Sequence, residues 1–216
     1  DLSGLPQYEM RRRRADRSQA EETLLQSKSA LYSWDFAPDG HALLYGSNTY
    51  GAWLLPLAGE RKPVQFLPPG GAQQYFQYSP DGRWVAYASD VQGQFEVFVT
   101  SVPPGGALWQ ISTGGGSMPR WRRADGRELF FRANDGTLMA VELGAGPGAS
   151  AIEERSAPRP LFVGIPSSGN TPIFTYAAAD DGQRFLVAAS RSSAQPPITV
   201  VLNWQLALQK RFAGRP

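Results

Sequence analysis

Short runs of apolar residues punctuate this chain, and several show no polar interruption. Trp84-Val85-Ala86-Tyr87 is one of them. It follows the turn Ser79-Pro80-Asp81-Gly82, which itself follows an aromatic run. A strand with apolar residues at consecutive positions is covered on both faces. A simple sandwich would alternate more cleanly. In a propeller each sheet is packed between two neighbouring sheets, which gives that pattern.

The motif recurs. "WDFAPDGHALLYGSN" starts at Trp34, "FQYSPDGRWVAYASD" at Phe76, "RWRRADGRELFFRAN" at Arg120 and "TYAAADDGQRFLVAAS" at Thr175. The Asp-Gly pairs lie at intervals of roughly 40 to 55 residues, the range of propeller blades or helical arrays. Helical arrays fail, because Pro-Asp-Gly or a relative in mid-unit breaks a helix.

Each unit predicts an aromatic strand, a turn and an apolar strand, then a loop and a third strand. The third strands are "AWLLPLAG" (52–59), "FEVFVTSV" (95–102), "TLMAVELG" (137–144) and "PITVVLNW" (197–204). Fourth strands are predicted at Val64–Leu67, Leu108–Ile111 and Arg159–Val163. The expected fold is all-β, a β-propeller of about four recognisable four-stranded blades, the C-terminal part of a larger propeller. The blades divide at 1–28 (partial), 29–69, 70–112, 113–164 and 165–205. The last lacks its fourth strand, and 206–216 forms a tail. In the partial blade, Gln7–Arg14 reads as a third strand paired with Glu21–Leu25. A closed four-blade ring would instead pair 21–25 with 198–204.

Turn chemistry assigns the repeated carboxylates. Pro suits the second position of a type I turn, Asp tolerates the third, and Gly supplies the left-handed residue that returns the chain. Asp39-Gly40, Asp81-Gly82, Asp125-Gly126 and Asp181-Gly182 are therefore structural turns. A catalytic carboxylate would need a partner base or second carboxylate at fixed spacing, and none travels with them. Asp180 stands where the repeat favours Pro. Trp121 is one residue further from its Asp-Gly pair than Tyr78 is, so the third turn should be looser.

Composition narrows the chemistry. Gly (23) and Pro (18) are plentiful, which suits short strands joined by turns. The absence of cysteine excludes disulfides, thiol catalysis and cysteine metal sites, and the single histidine, His41, excludes a multi-histidine zinc site. The expectation is no catalytic residue, no cofactor and no metal. A net charge of +2 implies no nucleic-acid partner. No apolar run approaches the ~20 residues needed to span a bilayer. The chain starts at Asp1 rather than Met, and we read it as a cut or processed piece.

Several residues are candidate contacts. Arg11-Arg12-Arg13-Arg14 could hold phosphate, but a short run without aromatics reads as a solvated strand. Arg120, Arg122 and Arg123 flank Trp121, open to a cation–π contact or a basic channel rim, with Trp121 itself a core aromatic. Asn48, Tyr50, Asp90, Asn134 and Asp135 lie between second and third strands, on the face where propellers usually bind ligands. With Arg120 and Arg122 they are the candidate ligand or partner contacts. "STGGGS" (112–117) lacks the Lys of a phosphate loop and reads as a connector. "IEERSAPRP" (152–160) and "RSSAQPP" (191–197) read as longer loops, and "WQLALQKRF" (204–212) as a short helix or tail.

The units resemble TolB-like, WD-like bacterial propeller repeats. "SPDGRWVAYASD", "QISTGGGSMPRWRRADGRELFF" and "DDGQRFLVAASRSSAQPPITVVLNW" carry the resemblance, which covers about residues 5 to 205. The last two look especially like propellers found C-terminal to the kinase domain and membrane helix of some bacterial serine/threonine kinases. The resemblance implies a sensory or protein- or ligand-binding platform, part of a larger receptor-like protein, and an extracytoplasmic location. It leaves open an accessory substrate-gating propeller of a hydrolase or a periplasmic TolB-type assembly protein. No kinase motif lies in the chain itself.

Overall fold

The computed structural model describes residues 7–47, 51–144, 152, 154–169 and 173–188. Its elements are strands, met in order as antiparallel sheets. A hairpin comes first, β1 (Tyr8–Arg12) with β2 (Glu22–Ser27). The next sheet is β3 (Leu31–Phe36), β4 (Ala42–Ser47), β5 (Ala52–Pro56) and β6 (Val64–Leu67). A second four-stranded sheet follows, β7 (Gln73–Tyr78), β8 (Trp84–Ser89), β9 (Glu96–Ser101) and β10 (Leu108–Gln110). The third comprises β11 (Ser117–Trp121), β12 (Glu128–Arg132) and β13 (Thr137–Gly144). Its outer edge is shared by β14 (Glu154–Arg155) and β15 (Arg159–Val163). A last hairpin pairs β16 (Tyr176–Ala178) with β17 (Phe185–Val187).

Simple up-and-down order within each sheet makes this a β-propeller architecture, with β3, β7, β11 and β16 as innermost strands. The predicted Gln7–Arg14 pairing with Glu21–Leu25 is realised as β1–β2. The stretch 152–160 departs from the expected loop. Glu154–Arg155 bridges to Leu143 and Gly144 as a short strand before β15 takes over the edge of β13. Predicted elements at 191–197, 197–204 and 204–212 lie outside the described residues.

The core explains the unbroken apolar runs. Four clusters sit between consecutive sheets, and successive residues of one strand enter different clusters. In β8, Trp84 and Ala86 face the β11–β13 sheet, while Val85 and Tyr87 face the β3–β6 sheet. In β12, Leu129 and Phe131 point back toward β8 and β9, while Phe130 points on toward Tyr176 and Phe185. In β4, Leu44 joins Phe76 and Tyr87, while Leu43 and Tyr45 pack with Leu24 of the first hairpin. Each fully buried Leu, Val or Phe contributes roughly 1.5–3 kcal/mol relative to exposure.

The turns also stack from sheet to sheet. A Cβ on Gly82 would lie 3.4 Å from Pro38 Cδ, and one on Gly126 would lie 3.0 Å from Pro80 Cδ. Gly82 and Gly126 thus seat the proline of the preceding turn, while Gly182 seats Arg122 and Phe130. The third turn has Ala124 in place of proline, and its freed N–H donates to the Asp180 carbonyl at 3.0 Å. This turn is one residue wider than the others. Gly126 N donates to the Arg122 carbonyl, four residues back, whereas Gly40, Gly82 and Gly182 donate three residues back.

Candidate ligand-binding surface

The recurrent aspartates are consumed by their own turns. One oxygen of each accepts the backbone N–H two residues on: His41 for Asp39, Arg83 for Asp81, Arg127 for Asp125 and Gln183 for Asp181, all at 2.9–3.1 Å. Asp81 also accepts from the Ser79 hydroxyl at 2.6 Å and from Arg83 Nε at 2.6 Å. Partial burial opposes ionisation of Asp81, but the Ser79 and Arg83 hydrogen bonds outweigh it and lower the pKa. Arg122 does the same for Asp125 through a two-pronged contact.

Arg122 belongs to a larger ion-pair network. It also reaches Glu128 at 3.0 Å, and Glu128, a buried carboxylate, is met from the other side by Arg159 of β15. The network ties the third turn to the outer edge of its sheet. The arginine run at the N-terminus is likewise paired, Arg11 with Glu9 and Glu21, Arg12 with Glu22, and Arg14 with Asp16, all well exposed. Exposed pairs of this kind contribute roughly 0–1 kcal/mol.

At the opposite ends of the strands, three of the predicted contact residues brace loops. Asp90 Oδ1 accepts Ala72 N at 2.7 Å, so the turn after β8 clasps the connector into β7. Asn134 Nδ2 approaches the Gly114 carbonyl at 3.5 Å, and a Cβ on Gly115 would collide with the Asn134 side chain. Asp135 Oδ1 accepts Thr137 N at 2.9 Å within its own turn. Asn134 and Asp135 also line a cavity of about 470 Å³ with Thr113, Phe131 and Met139. Asn48 and Tyr50 lie outside the described residues.

The "STGGGS" segment is the connector from β10 to β11, held by a buried acid. Glu96 accepts from the Ser112 hydroxyl, from Gly115 N at 2.8 Å and from Gln94 Nε2 at 2.7 Å. These contacts tie the connector to β9.

The innermost strands look different. Tyr32 and Trp34 of β3 stack at 6.2 Å between centroids. Trp34 is 6.0 Å from Tyr75 of β7, and Tyr75 meets Phe174 edge-on at 5.3 Å. The Arg120 guanidinium of β11 sits 3.5 Å above the Phe174 ring. The cation–π partner is thus Phe174 rather than the adjacent Trp121. Trp121 is buried in the core, with its N–H accepted by Gln77 Oε1 and its indole N–H by the Gln77 carbonyl.

This row rests on distorted backbone. β3, β7 and β11 each carry a bulge in the same part of the strand, at Ser33/Asp35, Gln74/Gln77 and Ser117/Arg120. Within the last two, Tyr75 and Met118 hold φ of 60° and 55°. Left-handed φ in large side chains is uncommon and costs of order 1–3 kcal/mol. The bulges re-aim side chains that a regular strand would place elsewhere.

Two donors in this region have no acceptor. Among the described residues Trp34 Nε1, which packs against Gly46, and Arg120 Nε are enclosed without a hydrogen-bond partner, as are Trp84 Nε1 and Gln73 Oε1 elsewhere. Burial lowers the pKa of Arg120, with Arg123 adding to the effect and Tyr176 and Asp35 opposing it. Asp35 does not relieve Arg120 directly. Its Oδ2 accepts Tyr78 N at 3.0 Å and pairs with Arg123 at 3.5 Å, which links three sheets. Burial raises the Asp35 pKa against these contacts. Sequence reasoning singled out Arg120 but missed Trp34, Tyr75 and Phe174, which converge from other units.

No protein-family model matches the chain, and no curated protein sequence is similar to it. Solved structures are similar in fold. TolB from Acinetobacter baumannii shares 16% identity over 85% of this chain and 43% of that one, with a TM-score of 0.59. A protein of Agrobacterium tumefaciens assigned as TolB shares 17% identity over 68% and 55%, TM-score 0.50. The periplasmic gluconolactonase PpgL of Pseudomonas aeruginosa shares 22% over 84% and 56%, TM-score 0.50. These likenesses establish a TolB-like β-propeller fold. The chain spans about half the length of these structures.

Proposed function

We propose that this chain is a non-catalytic propeller platform that binds a ligand or partner along its innermost strands. The observation that carries the reading is the Arg120 guanidinium, whose Nε has no acceptor among the described residues, beside a row of aromatic rings. Buried polar groups are nearly always satisfied, and an exception points to a partner. The repeated carboxylates, which an enzyme reading would recruit, are committed to their turns.

The division into blades at 29–69, 70–112, 113–164 and 165–205 is part of the same proposal. So is membership of a larger, receptor-like bacterial protein outside the cytoplasm. The coverage of about half of each neighbour and the periplasmic character of one of them support it.

The test is direct. The purified chain is incubated with an aldonolactone and with peptide and ester substrates, because one neighbour in fold is a lactonase. No acceleration over buffer is expected. Turnover that disappears in Asp81→Asn or Asp125→Asn would overturn the platform reading.

A further inference from the structure

We infer that the Arg120–Phe174 pair is a receptor for a carboxylate carried on a flat apolar group. The inference rests on the platform reading and adds the chemistry of what is bound. Arg120 is a cation taken largely out of water, and burial is the leading cause of its lowered pKa. A buried cation is stable when an anion meets it with hydrogen bonds. Arg122 has that arrangement, with Asp125 and Glu128. Arg120 does not: Phe174 covers one face and Nε has no acceptor. Asp35, the acid that acts on it through space, is already engaged by Tyr78 N and Arg123.

The group that fits Arg120 is therefore an acceptor with negative charge. A carboxylate matches the planar guanidinium and can take two of its N–H donors. The neighbouring surface sets the rest of the ligand. Phe174, Tyr75, Trp34 and Tyr32 follow one another at centroid distances of 5.3 to 6.2 Å, with Tyr32 at the solvent end, 37% exposed. Rings at such spacings stack on or against a flat apolar body. Phosphate alone would satisfy Arg120 but leave the aromatic row unused.

The probe is phenylacetate, titrated into the 216-residue chain by calorimetry, with phenylacetamide as the neutral control. Saturable binding is expected for the acid, with the amide at least about tenfold weaker, since charge-assisted hydrogen bonds are roughly twice as strong as neutral ones. Arg120→Met should abolish the preference for the acid. Arg120→Lys, which keeps the charge and loses the planar fork, should lose most of the affinity. A short peptide ending in phenylalanine, with free or amidated terminus, distinguishes a peptide source from a free acid; the free-terminus form binding more tightly than phenylacetate indicates a peptide. Equal binding of acid and amide, or acid binding unchanged in Arg120→Met, would overturn the inference and leave the platform with another ligand. So would the absence of saturable binding of both acids at millimolar concentration. The acid–amide comparison needs no variant, so a folding defect cannot mask the result.

Discussion

The innermost strands treat polar groups in two opposite ways along their length. At the turn ends, charges are saturated. Asp81 has Ser79 and Arg83, while Asp125 has Arg122 and the Arg127 N–H. A few residues away, half-buried Arg120 and Trp34 each hold an enclosed N–H with no acceptor among the described residues. Arginine serves in both regions, so its presence does not distinguish them. What separates them is where each polar group finds its partner. The turns are satisfied locally, within a few residues, and stack on the turn before. The middle of the strands depends on groups brought from other sheets, and there the charged Arg120 keeps an Nε without an acceptor among the described residues. A region that closes on itself contributes stability; one that does not is where we propose that a ligand binds.

The comparison can be broken first at the turns. Gly126→Val forces a β-branched residue to a φ of +67° and drives its Cβ against Pro80. A loss of about 2 kcal/mol is expected from urea denaturation, through backbone strain and the clash together. Gly82→Val has the same φ problem but more room, 3.4 Å to Pro38, and should lose about 1 kcal/mol. Equal losses would mean that the stacking of turns contributes nothing.

Arginine substitutions sharpen it next. Arg122→Met removes one of the two partners of the buried Glu128 and should cost about 1 kcal/mol or more. Arg120→Met removes a cation with an unmet donor, and the gain from relieving burial offsets the lost cation–π contact. Its stability should change by no more than about 0.5 kcal/mol. Paired melts of the two variants check this ordering.

The smallest effects concern pH. Asp81 and Asp125 have folded pKa values below their unfolded ones. Their contribution is complete above the ordinary aspartate value near ~4 and is lost as pH falls through the folded values. Asp35 has the opposite sign, because burial raises its folded value. Its protonation relieves a cost as pH falls. Asp81→Asn should therefore flatten the acid limb of stability, and Asp35→Asn should steepen it. Urea midpoints across the acid range separate the two. At neutral pH Asp81→Asn is otherwise mild, since Asn fills the same turn position.

What was legible in the sequence follows the same division. The turns and their strands could be read because their determinants are local and repeated, and the predicted fourth strands Val64–Leu67 and Arg159–Val163 appear with those bounds. The wider third turn was also visible, in the extra residue between Trp121 and Asp125. The two-residue β14 was not, because so short a strand has no periodicity of its own. Trp121 is the core aromatic the sequence favoured, and the cation–π contact left open for Arg120 is made with a ring the sequence did not name. Arg120 and Trp121 are neighbours in a strand, so their side chains take opposite faces. Trp121 goes to the core, and Arg120 meets Phe174 from a later connector. That alternation was a signal available to the reader. The bulges at Tyr75 and Met118 were not, because nothing in those side chains announces a left-handed backbone.

The central claim is that Arg120 is held for binding and Asp81 for folding. The most direct test measures melting temperature and phenylacetate affinity on the same samples of the unmodified chain, Arg120→Met and Gly82→Val. The account predicts that Arg120→Met keeps its melting temperature and loses acid binding, while Gly82→Val melts earlier and, still folded at low temperature, binds as before. A lowered melting temperature with intact acid binding in Arg120→Met would contradict it.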